Sequence, residues 1–235
     1  MQFVRSLIFV VLFYLWWTIV ALAFLPLLLC PRRWIIKSMR FQAWVTMQIL
    51  RLVCGVRVEF RGLQHLPAGA VLVGAKHQCM FDTIAPLTVL PDFAYVMRDS
   101  LLKIPFYGWY SVKAGMIPID REGQASALRR MLAAAKTAIA EGRQVVIFPE
   151  GTRLPPGVTG QYKPGVAALY RSLGVACAPL ATNSGAHWPP HGITRRQGLI
   201  VYEFLEPIPP GLDRREFMRL LEERVETGSK ALIGL

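Results

Sequence analysis

The chain has 235 residues, 53% of them hydrophobic, and a formal net charge of +12 at pH 7. This length is enough for one domain with a substantial core plus an appendage. The four cysteines are scattered without paired spacing, which argues against a disulfide framework or a zinc site. They are typical of reduced, small apolar residues in a protein that faces the cytosol. The basic charge alone would allow a nucleic-acid partner, but no recognised nucleic-acid motif is present, so we expect none.

The first predicted element is an apolar helix, because residues 6–30 contain no charged side chain. As a helix, these 25 residues would rise about 1.5 Å each, so the helix would be longer than the ~30 Å thickness of a hydrocarbon core. A cleaved signal peptide is the alternative, since residues 21–23 resemble a cleavage site. The apolar run continues to Leu29, however, and Arg32 and Arg33 follow almost directly, which is typical of an anchor with a basic cytoplasmic flank.

The second predicted element, over residues 34–53, is a helix with a narrow polar face. No Asp or Glu precedes Glu59, so seven of the twelve net positive charges belong to the first 58 residues. Such a helix suits an anionic lipid surface, although a core helix that extends its basic groups to water is the alternative. We expect residues 1–54 to form a membrane-binding helical hairpin with anionic lipids as partners. The expected location is a bacterial inner membrane, with the rest of the chain on its cytoplasmic face. The polar face consists of Lys37, Arg40, Gln48 and Arg51.

Beyond residue 54, short apolar runs alternate with helical patterns. Strands are predicted over residues 56–60, 71–74, 93–97, 116–119, 145–148, 176–180 and 199–204. Helices are predicted over residues 81–90, 104–113, 124–141, 163–173 and 214–232. Strands separated by helices predict an α/β fold, with a mixed central sheet flanked by helices in a single domain over residues 55–235.

A histidine and a carboxylate lie five positions apart, at His77 and Asp82. On one continuous helix they would be about 140° apart and would not meet. If the chain turns between them, the carboxylate can hold one ring nitrogen and leave the other as a general base. The alternative is a structural histidine with Asp82 as a helix cap.

A second polar group directly follows a predicted strand, in residues 148–153. Ligand contacts in α/β sheets usually lie where strands end, and the planar fork of Arg153 matches phosphate oxygens. A surface turn with an ordinary ion pair is the alternative. Glu150 is negatively charged and cannot itself bind a phosphate. We therefore expect it either to hold Arg153 or another cation, or to bind a hydroxyl group of the substrate.

These blocks together resemble the 1-acylglycerol-3-phosphate acyltransferase family. The resemblance covers residues 71–183: the His77 to Asp82 motif, residues 115–121, residues 148–153 and a short apolar block ending in proline at residues 178–180 occur in the family's order. The chain has Lys76 and Cys79 where the family often has asparagine and serine, and Pro118 where a bulky residue is common.

The resemblance implies an acyltransferase that moves a fatty acyl group from acyl-CoA or acyl carrier protein to 1-acylglycerol 3-phosphate, forming phosphatidic acid. His77 and Asp82 are then catalytic, and the acceptor phosphate is bound by residues of the second and third blocks. No Gly-x-Ser-x-Gly nucleophile is present, which favours direct transfer to the acceptor hydroxyl. The predicted substrate-binding residues are Arg121, Glu150, Gly151, Thr152 and Arg153.

Neither a metal nor a cofactor is expected. His187 and His191 have the four-residue spacing of a helical metal site, but prolines separate them and exclude a regular helix. Two other functions stay open: an acyltransferase acting on another lyso-lipid, such as a lyso-ornithine lipid, and a non-catalytic lipid-binding protein.

Overall fold

The computed structural model describes residues 1–120 and 124–235. All seven predicted strands are present, and they form one mixed sheet in the order β1-β7-β6-β2-β5-β3-β4. Five strands run parallel, whereas β7 pairs antiparallel with β6, and β1 pairs parallel with β7. The strands are β1 (Val56–Arg61), β2 (Val71–Ala75), β3 (Phe93–Arg98), β4 (Ile117–Ile119), β5 (Gln144–Ile147), β6 (Cys177–Thr182) and β7 (Gly198–Phe204).

Helices cover both faces of the sheet, which confirms the predicted α/β architecture. Alternating side chains of β2 divide between two cores: Val71 and Val73 face one, and Leu72 faces the other. The first core includes α1 and α2, and the second includes α4, α5 and α7. The α-helices are α1 (Gln2–Ala23), α2 (Arg32–Cys54), α3 (Tyr107–Lys113), α4 (Gln124–Ala140), α5 (Gly165–Leu173), α6 (Ser184–His187) and α7 (Arg214–Ala231).

Two predicted helices are wrong in detail. Residues 81–90 do not form one helix but two short 3₁₀ helices, Met80–Thr83 and Ala85–Thr88. Pro86 accounts for the break, since it has no N–H to donate and disfavours helical backbone in the residue before it. The helix predicted over residues 104–113 begins only at Tyr107, because Phe106 has a φ of 62°, outside the right-handed helical region.

The α2 helix is confirmed, and one of its faces belongs to the core. Ile35 and Leu50 are fully buried there. Its outer face exposes Trp34, Phe41 and Trp44. The alternative interpretation as a core helix therefore holds for the inner face, while the outer face keeps the aromatic surface suited to a lipid interface. The buried residues of α2 are Ile35, Ile36, Ser38, Gln42, Ala43, Thr46, Leu50 and Cys54.

The α1 helix is held against the domain at both ends. Near its start, the hydroxyl of Ser6 accepts a hydrogen bond of 2.8 Å from the backbone N–H of Arg195. Phe9 is fully buried and packs edge-to-face on Trp188, with ring centroids 5.4 Å apart. Near its end, the hydroxyl of Tyr110 donates to the Ala21 carbonyl at 2.8 Å.

The opposite face of α1 is open. Within the described residues, α1 is the one helix long and apolar enough to cross a membrane. A helix bound to the same folded body at both ends cannot cross a bilayer while that body stays on one side. We therefore expect α1 to lie in the plane of one leaflet. The large apolar residues exposed on α1 are Phe3, Val4, Leu7, Ile8, Val11, Leu12, Tyr14, Leu15, Ile19 and Leu22.

This topology predicts that both ends of α1 react from the same side of a vesicle. The probes are a cysteine replacing exposed Arg5, in a Cys30→Ser background, and the native Cys30 beyond the other end of the helix. Added outside sealed vesicles that carry the bound protein, a membrane-impermeant maleimide should label both sites. The other three cysteines are at most 3% exposed and serve as unreactive internal controls. If one end of α1 is labelled only after detergent is added, α1 crosses the bilayer instead.

Candidate active site

The loop after β2 brings the predicted histidine and carboxylate together. β2 ends at Ala75, and the chain turns before the 3₁₀ helix Met80–Thr83. His77 Nδ1 then lies 3.1 Å from Asp82 Oδ2. The contact leaves Nε2 as the ring nitrogen available to a substrate.

Asp82 is buried, and four further donors surround its carboxylate. Oδ2 accepts from the backbone N–H groups of Gln78 at 2.6 Å and Cys79 at 2.8 Å. Oδ1 accepts from the Tyr202 hydroxyl at 3.0 Å and faces the Cys79 thiol at 3.6 Å. Burial alone would raise the pKa of Asp82, but the hydrogen bonds and the charge of His77 outweigh it and hold this pKa below its ordinary value. Asp82 is therefore an ionised acceptor that fixes the proton of His77 on Nδ1.

The ring of His77 has a fixed orientation. It stacks on Phe148, with the ring centroids 4.0 Å apart and the planes 19° from parallel. Only 12% of the His77 side chain is exposed. The backbone carbonyl of His77 also accepts from the Leu154 N–H at 2.9 Å. An imidazole with a fixed tautomer, orientation and limited solvent access has the properties of a general base.

Cys79 is placed beside this pair but is not suited to be a nucleophile. The residue is fully buried. Burial, and next the negative charge of Asp82, raise the pKa of the Cys79 thiol well above its ordinary value. Since the thiolate is the reactive form, Cys79 stays an inert thiol. The site therefore favours base-assisted transfer over an acyl-enzyme formed on this cysteine.

The loop after β5 approaches the same edge of the sheet. Because β2 and β5 are parallel neighbours, their carboxyl ends lie side by side. Glu150 is buried and its carboxylate contacts the Lys76 ammonium at 2.6 Å, so the cation it holds is Lys76 rather than Arg153. Burial raises the pKa of Glu150 above its ordinary value despite the opposing effect of Lys76. Thr152 and Arg153 are exposed at the rim of the loop.

Gly151 lies between the buried and exposed parts of this loop, with a left-handed φ of 68°. Such backbone is easily adopted only by glycine. The predicted roles of Glu150, Gly151, Thr152 and Arg153 in substrate binding stay predictions. Arg121, the remaining predicted ligand, lies outside the described residues.

The turn that leads to the second sequence block is held by a buried arginine. The guanidinium of Arg143 donates to the carbonyls of Ala114 at 2.8 Å and Gly115 at 3.0 Å, and to Phe93 at 2.7 Å. This contact fixes the start of β4, which precedes Arg121 in the chain. Within the described part of the chain, no group of three His, Cys, Asp or Glu side chains could hold a metal ion.

Sequence reasoning missed three residues around the site. Lys76 was recognised only as a departure from the family pattern, and Tyr202 and Glu226 were given no role. All three are buried and form hydrogen bonds over large sequence separations. One signal was available for Glu226, since it borders the apolar positions 217, 221 and 225 of a predicted helix.

Comparisons with known proteins show which family the chain is similar to. The sequence model of the family described as Acyltransferase matches residues 57–183. A 1-acyl-sn-glycerol-3-phosphate acyltransferase of Pseudomonas aeruginosa is 34% identical over 161 residues, which are 68% of this chain and 61% of that protein. A protein of the same name from Borreliella burgdorferi is 27% identical over 167 residues, covering 70% of this chain and 66% of the relative. The chain thus matches somewhat less than two thirds of the length of these relatives.

A solved structure shares the whole fold. The crystal structure of the 1-acyl-sn-glycerophosphate (LPA) acyltransferase PlsC from Thermotoga maritima superimposes with a TM-score of 0.83 and 23% sequence identity, over 100% of this chain and 99% of that one. The family match covers more than half of the chain and contains both His77 and Asp82. The chain therefore belongs to the acyltransferase family.

Proposed function

We propose that this protein transfers a fatty acyl group from an acyl thioester to the free hydroxyl of 1-acylglycerol 3-phosphate, forming phosphatidic acid in phospholipid biosynthesis. The observation that carries the proposal is the His77 and Asp82 pair, in which a buried, ionised carboxylate holds Nδ1 at 3.1 Å. The relatives named above carry this activity in their names, which supports the choice of acceptor.

The reaction requires one proton transfer and one displacement. His77 Nε2 takes the proton of the acceptor hydroxyl while its oxygen attacks the thioester carbonyl carbon. The carbon–sulfur bond then breaks, and the departing thiolate takes up the proton from the imidazolium. Asp82 stabilises the positive charge that His77 carries between these steps. Base assistance of this kind typically contributes roughly 100- to 10,000-fold in rate.

The donor is proposed to be acyl-CoA or acyl carrier protein, with no resident cofactor, since the displacement needs no electron transfer. The acceptor phosphate is assigned to Arg153, which is exposed at the rim of the site, together with Arg121 and Thr152. We place the protein in the bacterial inner membrane, with the sheet on the cytoplasmic side. The exposed apolar face of α1 and the aromatic outer face of α2 support the membrane assignment.

The proposal is tested by lipid product analysis with purified protein. Acyl-CoA and acyl carrier protein thioesters are offered with a panel of lyso-lipids, some with a phosphate and some without. We expect phosphatidic acid as the main product. Acylation of a lyso-ornithine lipid in preference to 1-acylglycerol 3-phosphate would contradict the proposed acceptor, and the absence of any thioester consumption would contradict catalysis.

Substitutions of His77 and Asp82 should lower the rate of acyl transfer more than they weaken substrate binding. His77→Ala should lower kcat by at least ~100-fold, because it removes the base, while the fold and membrane attachment persist. Asp82→Asn should lower kcat more than it raises the acceptor KM, because it removes the charge that orients and stabilises the imidazolium. Steady-state kinetics, with circular dichroism as a folding control, measure both effects. Near-normal turnover in a folded His77→Ala protein would exclude the mechanism.

The Tyr202 hydroxyl should influence how the protein responds to acid. The folded-state pKa of Asp82 is lowered, so Asp82 contributes stability above its unfolded pKa of about 3.9, and this contribution is lost as pH falls through the folded pKa. Tyr202→Phe removes one donor, raises the folded pKa of Asp82 and therefore moves acid unfolding to higher pH. It should also lower kcat.

The matched control for this variant is Tyr95→Phe. The Tyr95 hydroxyl is buried and has no hydrogen-bond partner among the described residues. This substitution therefore makes the same chemical change without removing a donor from Asp82. Acid unfolding is followed by circular dichroism from pH 7 downward. If both variants shift the midpoint equally, the hydrogen bond to Asp82 has no special role.

Arg153 should affect the acceptor and not the donor. Arg153→Ala should raise the acceptor KM by about 10- to 150-fold, the equivalent of roughly 1.5 to 3 kcal/mol for a charge-assisted contact. Arg153→Lys should restore only part of the loss, since a point charge cannot form the two-pronged contact. Arg129→Ala, at an exposed arginine of α4, is the control. Equal losses on phosphate-bearing and phosphate-free acceptors would overturn the assignment of Arg153 to the phosphate.

A further inference from the structure

A buried ammonium group lies directly before the catalytic histidine. The side chain of Lys76 is 1% exposed, and its three N–H donors meet three acceptor groups. Nζ lies 2.6 Å from Glu150 Oε1, 2.9 Å from the Val158 carbonyl, and 2.7 and 2.9 Å from the two oxygens of Glu226. A buried charge with every donor satisfied is a rigid junction, because breaking any contact leaves a charged group without a partner.

The junction joins four separate parts of the chain. Lys76 directly follows β2, and Glu150 lies in the loop after β5. Val158 belongs to the returning half of that loop, and Glu226 lies on α7. Glu226 extends the junction further, since it accepts from the hydroxyls of Thr159 and Tyr162, each at 3.1 Å. Burial and the nearby carboxylates raise the pKa of Tyr162, so its hydroxyl stays a donor.

These contacts hold both halves of residues 150–162, a segment without regular secondary structure. The start is held through Glu150 and the return through Val158, Thr159 and Tyr162, whereas Thr152 and Arg153 between them are exposed. Ordering a loop of this length has an entropic cost, which contacts with the rest of the domain help to offset. The charged junction supplies such contacts on both sides of Arg153.

The same junction reaches His77 through Glu150. While Oε1 of Glu150 contacts Lys76, Oε2 accepts from the backbone N–H of His77 at 3.3 Å. The His77 carbonyl in turn accepts from Leu154 in the loop. The base and the proposed phosphate ligand are therefore attached to one ionic centre.

We propose that Lys76 and Glu226 are positioning residues for acceptor binding, and that α7 takes part in the active site through them. Neither residue touches the substrate. Together they hold the 150–162 loop in the conformation that presents Arg153 beside His77. This inference rests on the proposed function, because the acceptor role of Arg153 belongs to that proposal.

The test uses Glu226→Gln, which keeps the size of the side chain but removes its charge. Its control is Val225→Ala on the adjacent position of α7, a fully buried residue that packs in the core on the α7 side of the sheet. Both variants destabilise the helix, but only the first weakens the junction. The full-length proteins are compared in detergent at temperatures where each is completely folded.

Amide hydrogen exchange gives the structural readout, which requires no activity. In Glu226→Gln we expect the hydrogen-bonded amides of Gly151, Leu154 and Val158 to exchange about 10-fold faster, the effect of losing ~1.4 kcal/mol of local stability. In Val225→Ala these amides should change by less than about 2-fold. Unchanged exchange in the loop of Glu226→Gln would overturn the inference.

Kinetics give the second readout. The acceptor KM of Glu226→Gln should rise about 10-fold, with the donor KM within about 2-fold of the wild type, because the loop presents the acceptor ligand. Val225→Ala should leave both constants unchanged. An equal rise of both Michaelis constants, or faster exchange with an unchanged acceptor KM, would show that the junction does not position the acceptor.

A double variant tests whether the two residues act as one unit. If they do, Lys76→Met with Glu226→Gln should be no more impaired in acceptor kcat/KM than Lys76→Met alone, whereas independent residues would give multiplied losses. Where Lys76→Met does not fold, the exchange and kinetic results on Glu226→Gln decide. Failure of the wild type to acylate 1-acylglycerol 3-phosphate would contradict the proposed function, while the exchange measurement would still show whether the pair holds the loop.

Discussion

The arrangement of the active site depends on one buried negative charge, the carboxylate of Asp82. An ionised carboxylate is costly to bury unless donors surround it. Here two backbone N–H groups, a tyrosine hydroxyl and the His77 ring supply them. The donors to that charge determine the path of residues 77–82. The same turn therefore satisfies the buried carboxylate and orients the ring of His77.

The reversal of two strands places this turn at the same edge of the sheet as the end of α2. β1 and β7 run opposite to the other five strands, so each begins at the edge where β2 and β5 end. The α2 helix leads directly into β1 through Gly55, and therefore ends at that edge as well. The turn of His77 and Asp82 and the end of α2, whose outer face is apolar and exposed, therefore lie at the same edge of the sheet.

Much of this architecture could be predicted from local patterns. The seven strands are short apolar runs between turn residues, and α4 and α7 have a clear helical period, so each segment carries its own signal. Pro86 shows where such patterns fail, since the apolar spacing of residues 81–90 favoured a helix that proline does not permit. For His77 and Asp82, the geometric argument showed only that the chain must turn between them if they are to meet, since a continuous helix would separate them.

The supporting residues could not be predicted in this way. Lys76 and Glu226 are 150 positions apart in sequence, and Asp82 and Tyr202 are 120 apart. No periodicity connects such pairs, because their proximity arises only after the sheet has formed. In its local sequence, each of these residues can be explained by an ordinary structural role, such as a residue after a strand, a position on a helix or an aromatic residue of the core. Contacts between residues so far apart in sequence are determined by the order of the strands in the sheet.

The docking of α1 changes what can be done with this protein in practice. Phe9 and Phe13 are part of the same core as Ile35 and Phe81, so α1 is a structural layer of the domain and not a detachable anchor. Deleting α1 in order to obtain a water-soluble form would expose the aromatic surface of Trp188. We expect the shortened protein to aggregate. Solubility is better obtained by polar substitutions at outward positions such as Leu7, Val11 and Leu15, which leave the buried face intact.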